Sequence, residues 1–410
     1  MPIRVTSEIG KLRSVLLHRP GKELESLTPQ YLDSMLFEDI PYLEQMQREH
    51  DQFASLLESQ GCTVWYIEQM LEYVLTDQQV RKDVILHLIA SAQIHEPAIR
   101  ESMYDYLSQL ECEALAACCI KGVLKAEIDN TVRHKTLSYY IRNTYPFYIP
   151  PVPNLYFTRD PATVIGSGIA VHTMKNDARR RENWLLSLIA LHHPLFSETG
   201  NYIDYSDGSS IEGGDILLLN EHCAVVGSSA RTGTWAIESF ARRMMQPAEL
   251  GGQNLTEILV VQIPYTRAYM HLDTVFTMVD RDAFSIYGGI EMSLRVFSLR
   301  MYRDGQLQIH EEKNLHQALA RVLHVPAVRL IPSGGPDHTV AAREQWNDST
   351  NTLAVAPGTV ITYQRNTVSN DTLDREGITV LPIRGSELVR GRGGPRCMSM
   401  PLYREAVISE

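Results

Sequence analysis

The sequence predicts an α/β protein built from a repeated strand–strand–helix–strand unit, interrupted once by a helical insertion. Three observations point there. A short polar or acidic motif recurs ahead of paired apolar runs, first at Phe157-Thr-Arg-Asp-Pro161 and last at Arg343-Glu-Gln-Trp-Asn-Asp348. Between Gly61 and Gly122 there is no glycine, and Pro97 is the lone proline. The 410 residues are 44% apolar. That supplies a large core, and the length allows about one to three domains.

The elements follow in order. Lys11 to His18 reads as a strand closed by Arg19-Pro20-Gly21. Residues 41–60 read as an amphipathic helix, with Leu43, Met46, Phe53, Leu56 and Leu57 on one side. Gly61 ends it, and Cys62 to Ile67 is a strand. Residues 1–70 then form part of a first unit, 71–145 the helical insertion, and 146–410 the remaining units. Pro97 fits the first turn of a helix carrying Ile99, Met103, Tyr106, Leu107 and Leu110. Pro146, Pro150, Pro151 and Pro153 mark the exit.

The first full copy has strands on either side of Gly166-Ser-Gly168 and a helix near Arg181. The second opens at Ile211-Glu-Gly-Gly-Asp215, with strands around Asn220-Glu221, a helix from Thr234 to Met245 and a strand from Glu257 to Ile263. The third opens at His271-Leu-Asp273, with strands around Arg281-Asp282 and a helix from Leu315 to Leu323. The fourth runs from Leu353 through Pro357-Gly358 to Tyr363, then a short helix and Ile378 to Ile383. The opening segment and the tail near Cys397 complete one more unit. Units set around an axis would converge their polar motifs on one centre; an ordinary α+β sheet would scatter them on its rim.

Charge and cysteines exclude some classes. Lys and Arg total 38 against 49 Asp and Glu, a net charge of −11. A nucleic-acid binder shows a basic domain or stripe, so none is expected here. Cys62, Cys112, Cys118, Cys119, Cys223 and Cys397 form no CxxC pair and no even framework, which suits a reducing, cytoplasmic setting. The first residues carry no apolar signal segment, and no apolar run is long enough for a membrane span.

Four polar clusters carry the chemistry. Cys397 follows Arg396, with Arg390, Arg392 and the glycines Gly391, Gly393 and Gly394 upstream. Positive charge favours the thiolate, and the glycines permit close backbone approach or φ > 0. An inert buried thiol is the competing reading. Asp160 lies between Arg159 and Pro161, Glu212 precedes Gly213-Gly214-Asp215, and His271 alternates with Asp273 as on one face of a strand. Singly, these read also as a turn aspartate, an edge charge and a satisfied core histidine. Together they supply a nucleophile, an acid/base and several carboxylates. Carboxylates around a thiol raise its pKa, which makes sense if the substrate brings the positive charge. A guanidinium gripped by Asp160 and Asp273 would do so, with His271 as proton shuttle.

These residues resemble bacterial arginine deiminases, of the guanidino-group-modifying superfamily. The likeness lies in Ser7-Glu-Ile-Gly-Lys-Leu-Arg13, Leu36-Phe-Glu-Asp39, Pro153-Asn-Leu-Tyr-Phe-Thr-Arg-Asp160, Ile211-Glu-Gly-Gly-Asp215, Met270-His-Leu-Asp-Thr-Val-Phe-Thr-Met278, Arg343-Glu-Gln-Trp-Asn347 and Gly391-Arg-Gly-Gly-Pro-Arg-Cys-Met-Ser-Met400. The resemblance implies a five-bladed α/β propeller (the pentein fold) of pseudo-fivefold ββαβ units with an inserted helical domain. It implies hydrolysis of L-arginine to L-citrulline and ammonia, with neither metal nor cofactor, in a homo-oligomer. Cys397 would attack the guanidinium carbon. His271 would protonate the departing ammonia and then activate water. Asp160 and Asp273 would hold the guanidinium nitrogens, and Glu212 would pair with the guanidinium and orient His271. Arg179 and Arg231 would bind the α-carboxylate beside Asn154. Arg392 would gate the pocket, and the Leu36 backbone and Phe157 ring would line it. Arg159 is expected to be structural.

The chain departs from the family's pattern in three places. Glu38 stands where aspartate is common, Ser228-Ser-Ala precedes Arg231 in place of a more usual polar residue, and Arg396 stands where some relatives have histidine. A permanent cation there replaces a titrating one.

Overall fold

The computed structural model describes residues 3–132, 135–141, 144–197, 199–201, 208–246, 253, 255–302 and 305–407. Five mixed sheets within it share one topology: an antiparallel pair, then a third strand parallel to the second. A parallel return needs a crossover, and a helix supplies each one.

Ala162–Ile165 pairs antiparallel with Gly168–Val171, the helix Arg180–His192 crosses over, and Gly200–Asn201 returns parallel. Ile216–Asn220 and Cys223–Ser228 repeat this with the helix Thr234–Met244 and the strand Glu257–Gln262. Phe276–Met278, Ala283–Ile286, the helix Leu315–Leu323 and Arg329–Pro332 form the next. Leu353–Ala356, Thr359–Tyr363, the helix Thr367–Arg375 and Thr379–Ile383 form the fourth. The fifth joins distant parts of the chain. Met400–Arg404 pairs antiparallel with Leu12–Leu17, which runs parallel to Thr63–Tyr66 after the helix Leu43–Ser59. Gly61, at φ 78°, turns the chain out of that helix, a left-handed position that glycine takes without Cβ strain.

Two features differ from the sequence reading. Arg295–Met301 and Leu307–Glu311 form a further hairpin that extends the second sheet to five strands. Its alternating Arg, Ser and His residues hide it among loop-like composition. Helix also replaces the expected strand end at Ile67, where Ile67–Val74 follows Thr63–Tyr66 directly. The helices Gln78–Ser91, Pro97–Gln109, Cys112–Lys121, Lys125–Asp129 and Leu137–Tyr140 follow. A short ribbon of Val123–Leu124 with Phe147–Ile149 closes this region. No described helix is long and apolar enough to cross a membrane.

The strands Ala162–Ile165, Gly168–Val171 and Cys223–Ser228 are buried on both faces, as their unbroken apolar runs require. One core cluster joins Leu12, Val15, Phe53 and Leu57 to Tyr156, Phe157, Cys397 and Met398. The thiol therefore stands on packed ground. Emptying the fully buried Phe53 position to alanine would cost about 3–5 kcal/mol.

Candidate active site

The polar motifs sit in tight turns just ahead of the hairpins. Single helical turns at Pro153–Tyr156, Gly213–Asp215 and Leu272–Thr274 present Asp160, Glu212 and the His271–Asp273 pair. His271 and Asp273 thus flank a turn and do not share a strand face, which corrects the alternation argument. Gly214 has no room for a side chain: a Cβ there would lie 2.7 Å from His271 Nδ1 and 2.9 Å from Asp160 Oδ1.

Cys397, His271, Asp160, Arg179, Arg231, Arg392, Asn154, Phe157 and Leu36 line one cavity of ≈ 20 Å³, together with Met270 and Gly391. That is room for about one water molecule. Glu212 and Asp273 are fully buried and do not line this cavity. Glu212 Oε2 lies 2.7 Å from His271 Nε2, and its Oε1 accepts from the Lys175 amide at 2.9 Å. Its hydrogen-bonding capacity is turned toward the protein, so the arrangement orients the imidazole. Arg231 Nη1 stands 3.8 Å from Glu212 Oε1. The free edge of the imidazole, Nδ1, faces Asp160 Oδ1 at 3.8 Å.

The electrostatics follow from these distances. Burial pulls the His271 pKa down, but Asp160, the Glu212 hydrogen bond and Asp215 outweigh it and hold the ring up at about 9. The ring is an imidazolium at neutral pH. Burial raises Glu212, yet His271, Arg231 and Arg179 bring it down to about 2. Cys397 moves the other way: burial, Asp273, Asp160 and Asp348 push it well above the ordinary thiol range against the pull of Arg396. Burial and these carboxylates favour the thiol over the thiolate.

Arg396 pulls the Cys397 pKa down, as their adjacency leads one to expect, but its guanidinium bonds to carboxylates and not to the sulfur. Its Nη1 donates to Asp273 Oδ2 at 2.8 Å and its Nε to Glu8 Oε2 at 3.0 Å. Asp273 Oδ2 then lies 3.5 Å from Cys397 Sγ. Burial raises the Glu8 carboxyl, but Arg396 and Arg159 bring it down to about 2. Arg159 Nη1 lies 4.0 Å from Glu8 and its Nε donates to the Arg396 carbonyl at 3.4 Å, a supporting place away from the cavity. The glycines of the tail serve close approach only, since none has a positive φ. A Cβ on Gly393 would meet the Phe157 ring at 2.2 Å. Arg392 takes the left-handed conformation instead, at φ 62°, as does Leu36 at φ 62°. Arg392 stacks over Trp346 at 3.6 Å and donates to the Ala268 carbonyl at 3.3 Å. Asn154 Nδ2 holds the Met35 carbonyl at 2.7 Å, tying the Leu36 segment down.

Two residues were missed by the sequence reading. Asn351 Nδ2 lies 3.0 Å from Cys397 Sγ, and its Oδ1 accepts from the Cys397 amide at 3.0 Å. Asp348 is buried at φ 56° with neither carboxylate oxygen hydrogen-bonded. Burial pushes it up to about 7, with Asp273 adding and Arg392 opposing. The Arg343-Glu-Gln-Trp-Asn-Asp348 motif was the signal that could have led to both. Asp160, Glu212 and His271 bring one ligand atom each within 4.8 Å of one another, the metal-capable group found among the described residues. A cation there would compete with the proton on His271.

The arginine deiminase family profile matches residues 33–404. The chain is 44% identical to an arginine deiminase of Bacillus cytotoxicus, covering 99% of both chains. It is 46% identical to an arginine deiminase of Listeria welshimeri, covering 98% of both. Its fold is similar to that of a DDAH from Pseudomonas aeruginosa solved with citrulline, with TM-score 0.53, 14% identity and coverage of 95% and 99% of the two chains. It is also similar to SxtG, an amidinotransferase from Microseira wollei, with TM-score 0.55, 12% identity and coverage of 100% and 99%.

Proposed function

The chain belongs to the arginine deiminase family, and from that premise we propose that Cys397 carries the hydrolysis of L-arginine to L-citrulline and ammonia. The enzyme is a hydrolase of the amidine C–N bond. One observation supports the assignment of residues most: a buried thiol beside three carboxylates, sharing a cavity with an imidazolium. Such a thiol is poorly suited to neutral substrates. A guanidinium that binds Asp160, and reaches the unpartnered Asp273 Oδ1 as the cavity opens to admit it, neutralises the charges that hold the proton on sulfur.

The steps balance with water as co-reactant. As the guanidinium binds, the Cys397 proton passes to solvent; the thiolate adds to the guanidinium carbon, and the His271 imidazolium gives its proton to the departing nitrogen, releasing ammonia. The amidino group remains on sulfur. The neutral imidazole then takes a proton from water as its oxygen adds to the same carbon, and sulfur leaves, taking back the remaining O–H proton as a thiol so that neutral citrulline is formed. Glu212 holds His271 in place through both halves. Arg179 and Arg231 take the α-carboxylate, with Asn154, Phe157 and the Leu36 backbone around the chain of the substrate, and Arg392 covers the entrance.

We read the five sheets as blades of an α/β propeller around this centre, in a cytoplasmic homo-oligomer as the family suggests. The six free cysteines suit a reducing setting. Mass spectrometry of acid-quenched enzyme with arginine tests the covalent step. An amidino adduct on Cys397 is expected; Cys397→Ser enzyme that still makes citrulline at the parent rate would overturn it. Citrulline and free ammonia without any amine acceptor separate this reading from an amidinotransferase.

A further inference from the structure

The guanidinium seat that this reaction needs is filled by the protein itself. Arg179 donates from Nη1 to Asp160 Oδ2 at 2.7 Å. Its Nε and Nη2 donate to the Glu182 carboxylate, the closest contact being 2.8 Å. Arg179, Asp160 and Glu182 are all buried. Asp160 and Arg179 face the same cavity, which holds ≈ 20 Å³. A guanidinium arriving at Asp160 Oδ2 would need the place where Arg179 Nη1 now stands. The other oxygen, Oδ1, has no hydrogen-bond partner and faces His271 Nδ1 at 3.8 Å.

We propose that Arg179 is an internal competitor for Asp160, and that a carboxylate on the substrate is what draws it away. The proposal rests on the deiminase reading of the site. Arg179 immediately precedes the helix Arg180–His192, and Glu182 lies in that helix's first turn. The guanidinium is planar and rigid, so its Nη1 leaves Asp160 only as the Arg179–Glu182 pair moves together. Leaving Asp160 with no new acceptor would strand a buried charged donor, which is costly. A substrate carboxylate supplies the acceptor, so a molecule bearing both a guanidinium and a carboxylate exchanges bond for bond. A guanidine without the carboxylate must break the Arg179–Asp160 pair unaided. Arg179 thereby links recognition at one end of the substrate to access at the other. The site should select guanidino acids over their decarboxylated counterparts.

Two fragments test the coupling in the unmodified enzyme: methylguanidinium and propionate, read by isothermal titration calorimetry. This readout needs no turnover. Propionate is expected to tighten methylguanidinium binding by about fivefold or more, the usual scale of a coupling between sites. Methylguanidinium binding that is absent, or unchanged by propionate, overturns the proposal. In Arg179→Met the expected coupling is lost, and methylguanidinium alone binds more tightly than in the parent; weaker binding in a folded variant also overturns it. Citrulline formation by the parent enzyme is measured alongside. Citrulline without coupling defeats the competitor alone, whereas no citrulline defeats the deiminase reading.

Discussion

Asn351→Ala should slow the enzyme through its nucleophile. The side chain makes hydrogen bonds to Cys397 Sγ at 3.0 Å, from the Cys397 amide at 3.0 Å and to the Asp273 carbonyl at 3.3 Å. The contact to sulfur favours thiolate over thiol, and a hydrogen bond to a charged group contributes about 1.5–3 kcal/mol. Its loss predicts a turnover about 10- to 100-fold lower. The orphaned Cys397 amide adds about 1–3 kcal/mol of destabilisation. Asn351→Asp is the sharper arm. A carboxylate at 3.0 Å from sulfur opposes the thiolate by about 5 kcal/mol at an effective dielectric constant near ~20. The Asp variant should therefore be worse than the Ala variant at neutral pH and above. The assay is the pH dependence of Cys397 alkylation, located by peptide mass spectrometry, with ammonia release and urea unfolding beside it. Peptide mapping separates Cys397 from the other five free cysteines. A lower urea midpoint with unchanged alkylation and turnover within about twofold would mean that Asn351 only holds the loop, and the electrostatic argument would fail.

Other predictions follow from the same geometry. The Cys397 pKa should drop on adding a non-reactive guanidinium analogue, measured by thiol titration; an unchanged value refutes substrate-assisted ionisation. Turnover should fall as pH rises through about 9, where the His271 imidazolium is lost, and Glu212→Gln should move that limb downward; a limb that stays in place would assign it to another group. Asp348 has its pKa raised from 3.8 to about 7. The folded protein therefore keeps a proton that the unfolded chain loses, and the stability tied to it is full below pH 3.8 and is lost as pH rises through about 7. Asp348→Asn should recover up to about 4 kcal/mol near pH 8, read by urea unfolding; a variant no more stable than the parent at pH 8 would show that Arg392 already compensates the charge. Glu38 pairs with Arg267 at 2.9 Å on the exposed rim, beside Leu36 at the cavity wall. Glu38→Gln should change stability by less than about 1 kcal/mol while altering the salt dependence of the apparent affinity for arginine; identical salt profiles would remove the pair from any role at the entrance.

Much of the fold was legible because it is local. Apolar runs split by turns at Gly166-Ser167 and Pro357-Gly358 announce hairpins, and Pro97 and Gly61 mark helix ends that need no distant partner. The hairpin Arg295–Met301 with Leu307–Glu311 escaped because its outer strand, Leu307–Glu311, lies at a sheet edge. There, water and charged side chains replace an apolar face, and the periodic signal fades.

The site divides along the same line. The sequence by itself determined the chemical parts: a thiol on a glycine-rich tail, a histidine and aspartate two residues apart, and carboxylates ahead of hairpins. Tertiary structure alone decided their states. Arg396 meets Glu8 across 388 residues of chain, Asn351 reaches Cys397 across 46, and Glu212 reaches His271 across 59. Whether an arginine activates the neighbouring thiol, neutralises an aspartate or occupies the substrate's place depends on distances of a few ångströms in a buried medium. Chain neighbours do not set those distances; the packing of the sheets does.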